Sequence, residues 1–258
     1  MDTLLFCTSY VEDQSAWTER YLRWLTHYKA MDLGASRILM IDDCSPFTPA
    51  PDQLQCVSHD TDLGSLQETQ LMLRFPDRLG RSGLLSYPGW WRSFLHALNV
   101  ARQLGARKII HVESDAYILS PRLADHIRNI NSGWTTLWSE HYRIPETAVQ
   151  VICEDQFDAM GAFQLKTQEE LGGHLAENLL PFTHVDKTFK GDRYGDIRQN
   201  RWIFRSRKFH HWPLFDHDFF WASIPDHADF ATQVTERLWN NARILKAGRT
   251  TAPGRLVG

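Results

Sequence analysis

The stretch Lys108-Ile109-Ile110-His111-Val112-Glu113-Ser114-Asp115 governs the interpretation of the whole sequence. Its first five residues have the length and apolar character of a buried strand, and its last three are polar. Alternate side chains of an extended chain point the same way, so Glu113 and Asp115 are expected to face one ligand. An ordinary acidic turn after a strand is the alternative interpretation of the same residues.

Two earlier segments show the same pattern of a short apolar run followed by polar residues. Residues 3–8 predict a strand that leads into Thr8-Ser9-Tyr10, and residues 37–41 predict one that leads into Asp42-Asp43-Cys44-Ser45. Each polar cluster also fits a plain turn, because Asp and Ser are common turn residues. Residues 54–58 predict a further short strand.

Two helices are predicted between these strands. Ser15 is expected to cap a helix that runs to Ala30, and Trp90–Leu104 has an apolar helical face and ends at Gly105. Strands that alternate with helices predict an α/β fold, with a mostly parallel central sheet flanked by helices. Such sheets bind ligands at the carboxyl ends of their strands, so the three polar clusters are expected to meet in one crevice.

The region before the second helix lacks a clear period. Residues 60–89 carry Gly and Pro at many positions, which predicts a loop that can close over a ligand. Arg92 lies in the first turn of the helix that follows, where the helix N-terminus favours anions. Arg92 is therefore a candidate phosphate-binding residue.

The second half of the chain is less regular than the first. Its patterns predict further elements: a helix over residues 121–130, strands over 134–138 and 149–152, a helix with a capping box from Thr167 to Asn178, and a closing helix over 230–246. No repeat or linker interrupts the chain. Residues 1–258 are therefore expected to form a single domain, with a donor half over about 1–120 and an acceptor half over about 121–258.

Composition narrows the class of protein. The chain has 258 residues, of which 43% are hydrophobic and 23% charged, so a packed core is expected. Its net charge of -3 argues against electrostatic capture of nucleic acid or acidic lipid. No segment has the roughly 18 consecutive apolar residues of a membrane helix, and no secretory signal pattern is present. The four cysteines are far apart without zinc spacing, which predicts reduced thiols in the cytoplasm.

The order of these motifs resembles that of the GT-A glycosyltransferases, most closely the family-two type. The resemblance covers residues 3–120 and depends on Thr8-Ser9-Tyr10, Asp42-Asp43-Cys44-Ser45 and Glu113-Ser114-Asp115 each following a strand. It implies a Rossmann-like GT-A fold and a UDP-, GDP- or CDP-sugar donor. It further implies that Asp42 or Asp43 binds the nucleoside, and that Asp115 binds Mn²⁺ or Mg²⁺ with Glu113 in place of the usual first Asp.

The resemblance extends less clearly into the acceptor half. Residues 161–166 resemble the acceptor-side strand, and the family then implies an acidic pair that supplies a general base. Asp192 with Asp196 is favoured by order along the chain, and Glu154 with Asp155 is the alternative. A late histidine that binds the metal is implied in some members. The candidates are His211, His210, His217 and His184.

The implied reaction transfers a sugar to a hydroxyl of a glycan or lipid-linked saccharide, during surface glycan synthesis in the cytoplasm or at the inner face of the membrane. Two alternatives remain open. A sugar-phosphate nucleotidyltransferase usually has a Gly-rich, cationic loop after its first strand, and residues 8–13 contain neither Gly nor a cation. The other alternative is a non-catalytic GT-A-like protein that recognises glycans or partners, and the acidic residues retained at the strand ends weigh against it.

Overall fold

The structure is a computed structural model that describes residues 2–83, 85–194 and 224–234. Its strands are β1 (Thr3–Ser9), β2 (Arg37–Asp42), β3 (Gln55–Ser58), β4 (Gln70–Arg74), β5 (Lys108–Val112), β6 (Tyr117–Ile118), β7 (Trp134–Ser139), β8 (Ile144–Cys153), β9 (His184–Asp186), β10 (Gly191–Arg193) and β11 (Phe230–Thr232). Its helices are α1 (Gln14–Ala16), α2 (Leu22–Ala30), α3 (Pro88–Leu104), α4 (Pro121–Asn129), α5 (Phe157–Gln164), α6 (Gln168–Leu171) and α7 (Ala176–Leu179). A π-helical turn, Trp17–Tyr21, joins α1 to α2.

The main sheet has the strand order β3-β4-β2-β1-β5-β8-β7-β9. Pairing is parallel from β3 to β5 and between β7 and β9, whereas β8 is antiparallel to both of its neighbours. A smaller sheet has the order β10-β11-β6. The expected α/β fold with a mostly parallel central sheet is confirmed.

Alternate residues of the central strands enter two apolar cores, one on each face of the sheet. Leu5 and Cys7 of β1 share a core with residues of α2 and α4, whereas Leu4 and Phe6 share the other with residues of α3 and α5. This division follows from the two-residue period of a strand. Helices therefore flank the sheet on both faces, as the sequence predicts.

The first helix is not one continuous α-helix over residues 15–30, contrary to the prediction. Asp13 caps it instead of Ser15, because the Asp13 side chain accepts a hydrogen bond from the Ala16 amide at 2.8 Å. The π-turn Trp17–Tyr21 then interrupts the α-helical hydrogen bonding. Turns of this type are frequent at functional sites. Apolar periodicity does not reveal it, because the buried stripe continues on both sides.

The prediction of a loop over residues 60–89 is wrong at its centre. Gln70–Arg74 forms β4, which pairs in parallel with β2 on one side and β3 on the other. Leu71, Met72 and Leu73 are at most 1% exposed, so β4 is a buried strand. Its apolar run is only three residues long, and the neighbouring Gly and Pro residues obscured it.

Three predictions for the second half need correction. Residues 161–166, expected as a strand, lie mostly in α5. The capping box at Thr167 is present, but the helix that it begins ends at Leu171 and α7 is separate. Strand β11 occupies the start of the helix predicted over 230–246, and residues 235–246 are outside the described ranges.

The four cysteines agree with the interpretation as unpaired thiols. Cys7 and Cys153 are buried, Cys44 and Cys56 are half-buried, and all four are free. Across the described ranges, no helix has the length and apolar character needed to cross a membrane.

Asp229 ties residues 224–234 to the rest of the chain. Its carboxylate accepts hydrogen bonds from Ser120 Oγ at 2.6 Å, from Arg122 Nε at 2.7 Å and from the Lys190 amide at 2.7 Å. The side chain is only 2% exposed. Burial raises the pKa of this carboxyl, but the hydrogen bonds from Arg122, Ser120 and Lys190 together hold the pKa below its ordinary value.

We predict that Asp229→Asn lowers the free energy of unfolding by about 1–3 kcal/mol at pH 7, because buried donors lose a charged acceptor. A depressed folded-state pKa adds stability that is complete above the unfolded pKa of about 3.9 and is lost as the pH falls through the folded value. The difference in the free energy of unfolding between the variant and the wild type should therefore disappear below about pH 4. Urea unfolding across this range measures it.

Asp125→Asn is the control, since the Asp125 side chain is 57% exposed and paired on the surface with Arg128. Its effect is expected to stay within about 0.5 kcal/mol at every pH. If Asp229→Asn lowered the free energy of unfolding by the same amount at every pH, the stabilising role of the Asp229 charge would be contradicted.

Candidate functional site

A cavity of about 820 Å³ lies at the carboxyl edge of the main sheet. The ends of β1, β2 and β5 contribute Thr8–Tyr10, Asp43 and Glu113–Asp115 to its wall. Strand β8 is antiparallel to β5, so its N-terminal half lies at the same edge and adds Glu146–Ala148. Residues 174–177 also line the cavity. The three polar clusters of the sequence therefore meet in one crevice, as predicted.

Glu113 is held by three neighbours in the wall. Its Oε2 accepts a hydrogen bond from Thr8 Oγ1 at 3.0 Å, its Oε1 accepts one from Trp90 Nε1, and Oε1 lies 3.4 Å from Nε2 of the buried His111. Burial raises the pKa of Glu113, but His111, Trp90 and Thr8 together bring it below its ordinary value. Both carboxylate oxygens are thus occupied by protein groups.

Ser114 and Asp115 are both bound by Arg20, which the π-turn carries. Arg20 Nε donates to Ser114 Oγ at 2.8 Å, and Nη2 pairs with Asp115 Oδ2 at 3.1 Å. Burial raises the pKa of Asp115, the Arg20 charge lowers it, and the nearby carboxylates Glu113 and Glu146 raise it again. The net shift of the pKa is upward. The acidic triplet therefore already has a cation beside it.

Asp42 and Asp43 have different environments. Asp42 is fully buried, accepts hydrogen bonds from the Ser45 amide at 2.8 Å and from Ser9 Oγ at 3.2 Å, and is not among the described residues that line the cavity. Burial raises its pKa despite these bonds and the charge of Arg74. Asp43 does line the cavity. Of the two carboxylates, only Asp43 can touch a ligand there.

Asp43 also anchors the loop over residues 77–81. Its Oδ2 accepts from the Gly80 amide at 2.7 Å and its Oδ1 from the Leu79 amide at 3.2 Å. Arg92 pairs with Asp43 and, at 3.1 Å, with Asp77. Arg92 is therefore engaged in holding the loop and does not line the cavity among the described residues. The proposed contact of Arg92 with phosphate remains untested.

The loop brings cations and aromatic rings to the cavity. Arg78 lies over the ring of Tyr10 at 3.8 Å from its centroid, and Arg81 lies over Tyr87 at 4.8 Å. All four residues line the cavity. Arg78 forms no ion pair with another described residue, so its charge is available to an anionic ligand.

The opposite wall contains a buried ion-pair cluster centred on Arg193. Arg193 Nε lies 2.8 Å from Glu146 Oε2, and Nη2 pairs with Glu177 Oε1. Glu146 additionally accepts from Thr232 Oγ1 at 3.1 Å and from the Ala148 amide at 3.1 Å. Both oxygens of Glu146 are thus used, whereas Glu177 Oε2 has no partner in the described part of the chain.

Three of the four predicted general bases, Asp192, Glu154 and Asp155, are not among the described residues that line the cavity. Asp192 accepts from Ser139 Oγ at 2.6 Å and from the His141 amide at 2.9 Å, and it is absent from the described cavity wall. Glu154 and Asp155 follow β8, whose last residue pairs with Lys108 at the start of β5, so they lie at the opposite edge of the sheet. In this structure Glu154 and Asp155 are therefore separated from the cavity by the length of the sheet, and their role as a general base stays a prediction. Asp196 is outside the described residues.

The predicted metal ligands do not fit a divalent ion as they are arranged here. Within residues 2–83, 85–194 and 224–234, no group of three or more His, Cys, Asp or Glu side chains is placed to hold a metal. Glu113 is occupied by protein donors and Asp115 faces Arg20. His184 in β9 is exposed and absent from the described wall. His210, His211 and His217 are outside the described ranges.

Several residues of the wall were missed by sequence reasoning. Arg20 had a signal, because it lies three residues after Trp17 and four before Trp24, on the buried stripe of the first helix. A charge on such a stripe needs a partner. The remaining missed residues had no local signal: Arg78, Arg81, Glu146, Glu177 and Arg193.

No family model and no curated protein matches this chain. Among solved structures, it resembles residues 1–349 of TarS from S. aureus at 15% identity and a TM-score of 0.40, over 66% of this chain and 53% of that one. The chain thus spans about half the length of the TarS structure. It also resembles a glycosyltransferase involved in the glycosylation of the major capsid of PBCV-1, at 7% identity and a TM-score of 0.41, over 96% of this chain and 100% of that one.

A third structure, a Bacillus anthracis protein described as a glucose-1-phosphate thymidylyltransferase, matches at 10% identity and a TM-score of 0.41, over 69% of this chain and 80% of that one. These names include a glycosyltransferase and a nucleotidyltransferase, the two enzyme classes considered from the sequence.

Gly89 allows the close approach of α3 to the anchored loop. A Cβ at this position would overlap Asp43 Oδ2 and lie 2.8 Å from the Gly80 amide nitrogen. We predict that Gly89→Ala displaces the loop and lowers the free energy of unfolding by about 1–3 kcal/mol. Faster limited cleavage by trypsin after Arg78 and Arg81 is the direct measurement.

Gly83→Ala is the matched control, because a Cβ there makes only an ordinary 3.6 Å contact with Ser86. Its cleavage rate and stability should match wild type. Equal cleavage of both variants would contradict the anchoring role of Asp43.

Proposed function

We propose that this chain is a glycosyltransferase that transfers a sugar from a nucleotide-diphosphate-sugar to a hydroxyl acceptor. The observation that carries the proposal is the cavity at the carboxyl edge, where aromatic rings, guanidinium groups and carboxylates meet. Aromatic faces suit a nucleobase, guanidinium groups suit phosphates, and carboxylates suit hydroxyl groups. A nucleotide-sugar contains all three chemical groups.

The positions of these groups support one orientation of the donor. The base and ribose would lie near Tyr10 and Asp43, and the diphosphate near Arg78, Arg81 and Arg20. The sugar would then lie between the acidic triplet and the wall formed by Glu146–Ala148. The acceptor would enter along residues 174–177. The donor half and the acceptor half would then both line this one cavity, in a proposed single domain over residues 1–258.

The reaction breaks the bond between the anomeric carbon and the leaving phosphate oxygen. The electron pair of that bond goes to the diphosphate, and the acceptor oxygen forms the new bond while its proton moves to a base. Positive groups beside the diphosphate would stabilise the charge that develops there. The sequence predicts Mn²⁺ or Mg²⁺ for this purpose, but the donor set around Asp115 does not fit it, so no step is assigned to a metal.

Glu177 is the carboxylate that we propose as proton acceptor. Among the described carboxylates of the wall, Asp43, Glu113 and Glu146 have both oxygens engaged, while Glu177 and Asp115 each keep one oxygen without a side-chain partner in the described ranges. Asp115 lies at the donor strand end and Glu177 on the acceptor side. A base must reach the acceptor hydroxyl directly or through one water, which favours Glu177.

The acceptor is proposed to be a glycan or lipid-linked saccharide in surface glycan synthesis, with the protein in the cytoplasm or against the inner face of the membrane. The resemblance of the motifs to GT-A glycosyltransferases supports this assignment. Screening of nucleotide-sugars and acceptors identifies the nucleobase and sugar of the donor and the acceptor that receives it.

Nucleotide binding is the first test. We predict that one of UDP, GDP or CDP, or a corresponding sugar nucleotide, raises the melting temperature by roughly 5–10 °C at about 100 times its dissociation constant. The reason is that a ligand that binds only the folded state stabilises it by mass action. The panel is measured with and without Mn²⁺ by differential scanning fluorimetry.

The outcomes separate the candidate classes. Stabilisation together with release of nucleoside diphosphate supports a glycosyltransferase. Release of pyrophosphate from a nucleoside triphosphate and a sugar 1-phosphate would indicate a nucleotidyltransferase instead. The absence of stabilisation by every nucleotide, with or without metal, would contradict the proposal.

We predict that Glu177→Gln lowers turnover by roughly 100-fold or more while the affinity for the donor changes little, because general-base catalysis contributes on this scale. Turnover is measured as the release of nucleoside diphosphate in the presence of an acceptor. Glu154→Gln is the control, since its side chain is 57% exposed and pairs with Arg107 at the opposite edge. Equal turnover of Glu177→Gln and wild type would remove Glu177 from this role.

A further inference from the structure

We infer that the guanidinium group of Arg20 takes the place of a divalent cation at the diphosphate, so that nucleoside diphosphates bind this chain without metal. The inference rests on the proposed function, because it assigns the phosphate contact within the same cavity. It reverses the metal dependence that the sequence predicts.

Both carboxylates of the acidic triplet already have partners within the protein. A hard divalent cation needs several oxygen ligands, usually including one or two carboxylates. Both oxygens of Glu113 already accept hydrogen bonds, from Trp90 and Thr8, so a cation at this carboxylate would compete with both bonds. Asp115 is the remaining carboxylate, and one of its oxygens pairs with Arg20.

Arg20 itself places a positive charge beside the acidic triplet. Its guanidinium bridges Ser114 Oγ at 2.8 Å and Asp115 Oδ2 at 3.1 Å, and the side chain lines the cavity. Burial lowers the pKa of Arg20, but Asp115 and other neighbours raise it above its ordinary value, so the group stays charged. A metal ion at the triplet would lie next to this fixed positive charge and be repelled.

Arg20 also keeps N–H groups that its bonds to the triplet do not use. A guanidinium has five N–H donors, and the bonds to Ser114 and Asp115 use Nε and Nη2. Nη1 has no partner within the described ranges. A planar guanidinium binds phosphate oxygens in pairs, so the remaining N–H groups match a phosphate of the ligand. Arg78 and Arg81 line the same cavity and add charge for the neighbouring phosphate.

The π-turn fixes this geometry before any ligand arrives. Tyr21, the next residue of the turn, accepts a hydrogen bond from the Tyr10 amide at 3.1 Å and donates one to the Tyr10 carbonyl at 2.8 Å. Arg20 and Tyr21 thus both hold the ends of neighbouring strands. Donors fixed beside a developing charge stabilise it without reorganisation.

The test compares nucleotide binding in excess EDTA with binding in Mn²⁺ or Mg²⁺. Isothermal titration of wild-type protein with UDP, GDP and CDP is expected to give the same dissociation constant with EDTA as with metal. The matching monophosphates are titrated in parallel. This comparison uses only the wild-type protein, so its result does not depend on whether a variant folds.

Two substitutions locate the effect. Arg20→Gln should weaken the binding of the diphosphate by roughly 10- to 100-fold, the usual loss for charge-assisted hydrogen bonds, and weaken the monophosphate much less. Arg20→Lys keeps the charge beside Asp115, so its affinity for the diphosphate should lie between those of Arg20→Gln and the wild type. Arg107→Gln is the matched control, because Arg107 is 61% exposed and lies at the opposite edge of the sheet.

The possible results keep the two proposals apart. If wild-type protein binds a nucleoside diphosphate only when Mn²⁺ or Mg²⁺ is present, the proposed function stands and the inference is overturned. Equal losses for monophosphate and diphosphate in Arg20→Gln also overturn it. If no nucleotide binds under any condition, the proposed function itself fails.

Discussion

The structure depends on one electrostatic constraint, namely that carboxylates buried at the carboxyl edge of the sheet must each be partnered. Burying an ionised carboxylate without a partner costs more free energy than the net stability of a typical folded domain. Asp42 is satisfied by Ser45, Ser9 and Arg74, and Asp43 by the amides of a loop and by Arg92. The two carboxylates after β5 use groups from other elements in the same way.

This constraint explains how the cavity wall is built. The partners come from segments far apart in the chain: the π-turn supplies Arg20, the loop over residues 77–81 supplies amides, and the first turn of α3 supplies Trp90. Each partner draws its own segment against the strand ends. The loop in turn brings Arg78 and Arg81 to the ligand side. The electrostatic demands of the sheet edge and the chemistry of the cavity are therefore met by the same contacts.

Much of the fold and part of the site follow from the sequence. Short apolar runs ending in polar residues predicted β1, β2 and β5 and the convergence of their ends, because parallel strands share one carboxyl edge. The role of each carboxylate did not follow. Asp42 and Asp43 are adjacent in sequence, yet one is enclosed by side chains and the other lines the cavity. Their difference depends on the strand pleat, which points adjacent side chains to opposite sides, and on the loop that Asp43 anchors. No local sequence pattern predicts that contact.

The sequence by itself determined that Glu113-Ser114-Asp115 ends a buried strand beside two other polar strand ends, because hydrophobic periodicity is a local property. Only the tertiary structure decided what surrounds that triplet. The reversal of β8 brings Glu146 to the site and carries Glu154 and Asp155 to the far edge. The π-turn points Arg20 at Ser114 and Asp115, which are 94 and 95 positions away in the sequence. Contacts between distant segments depend on how strands and helices pack, and a linear pattern of residues does not encode that order.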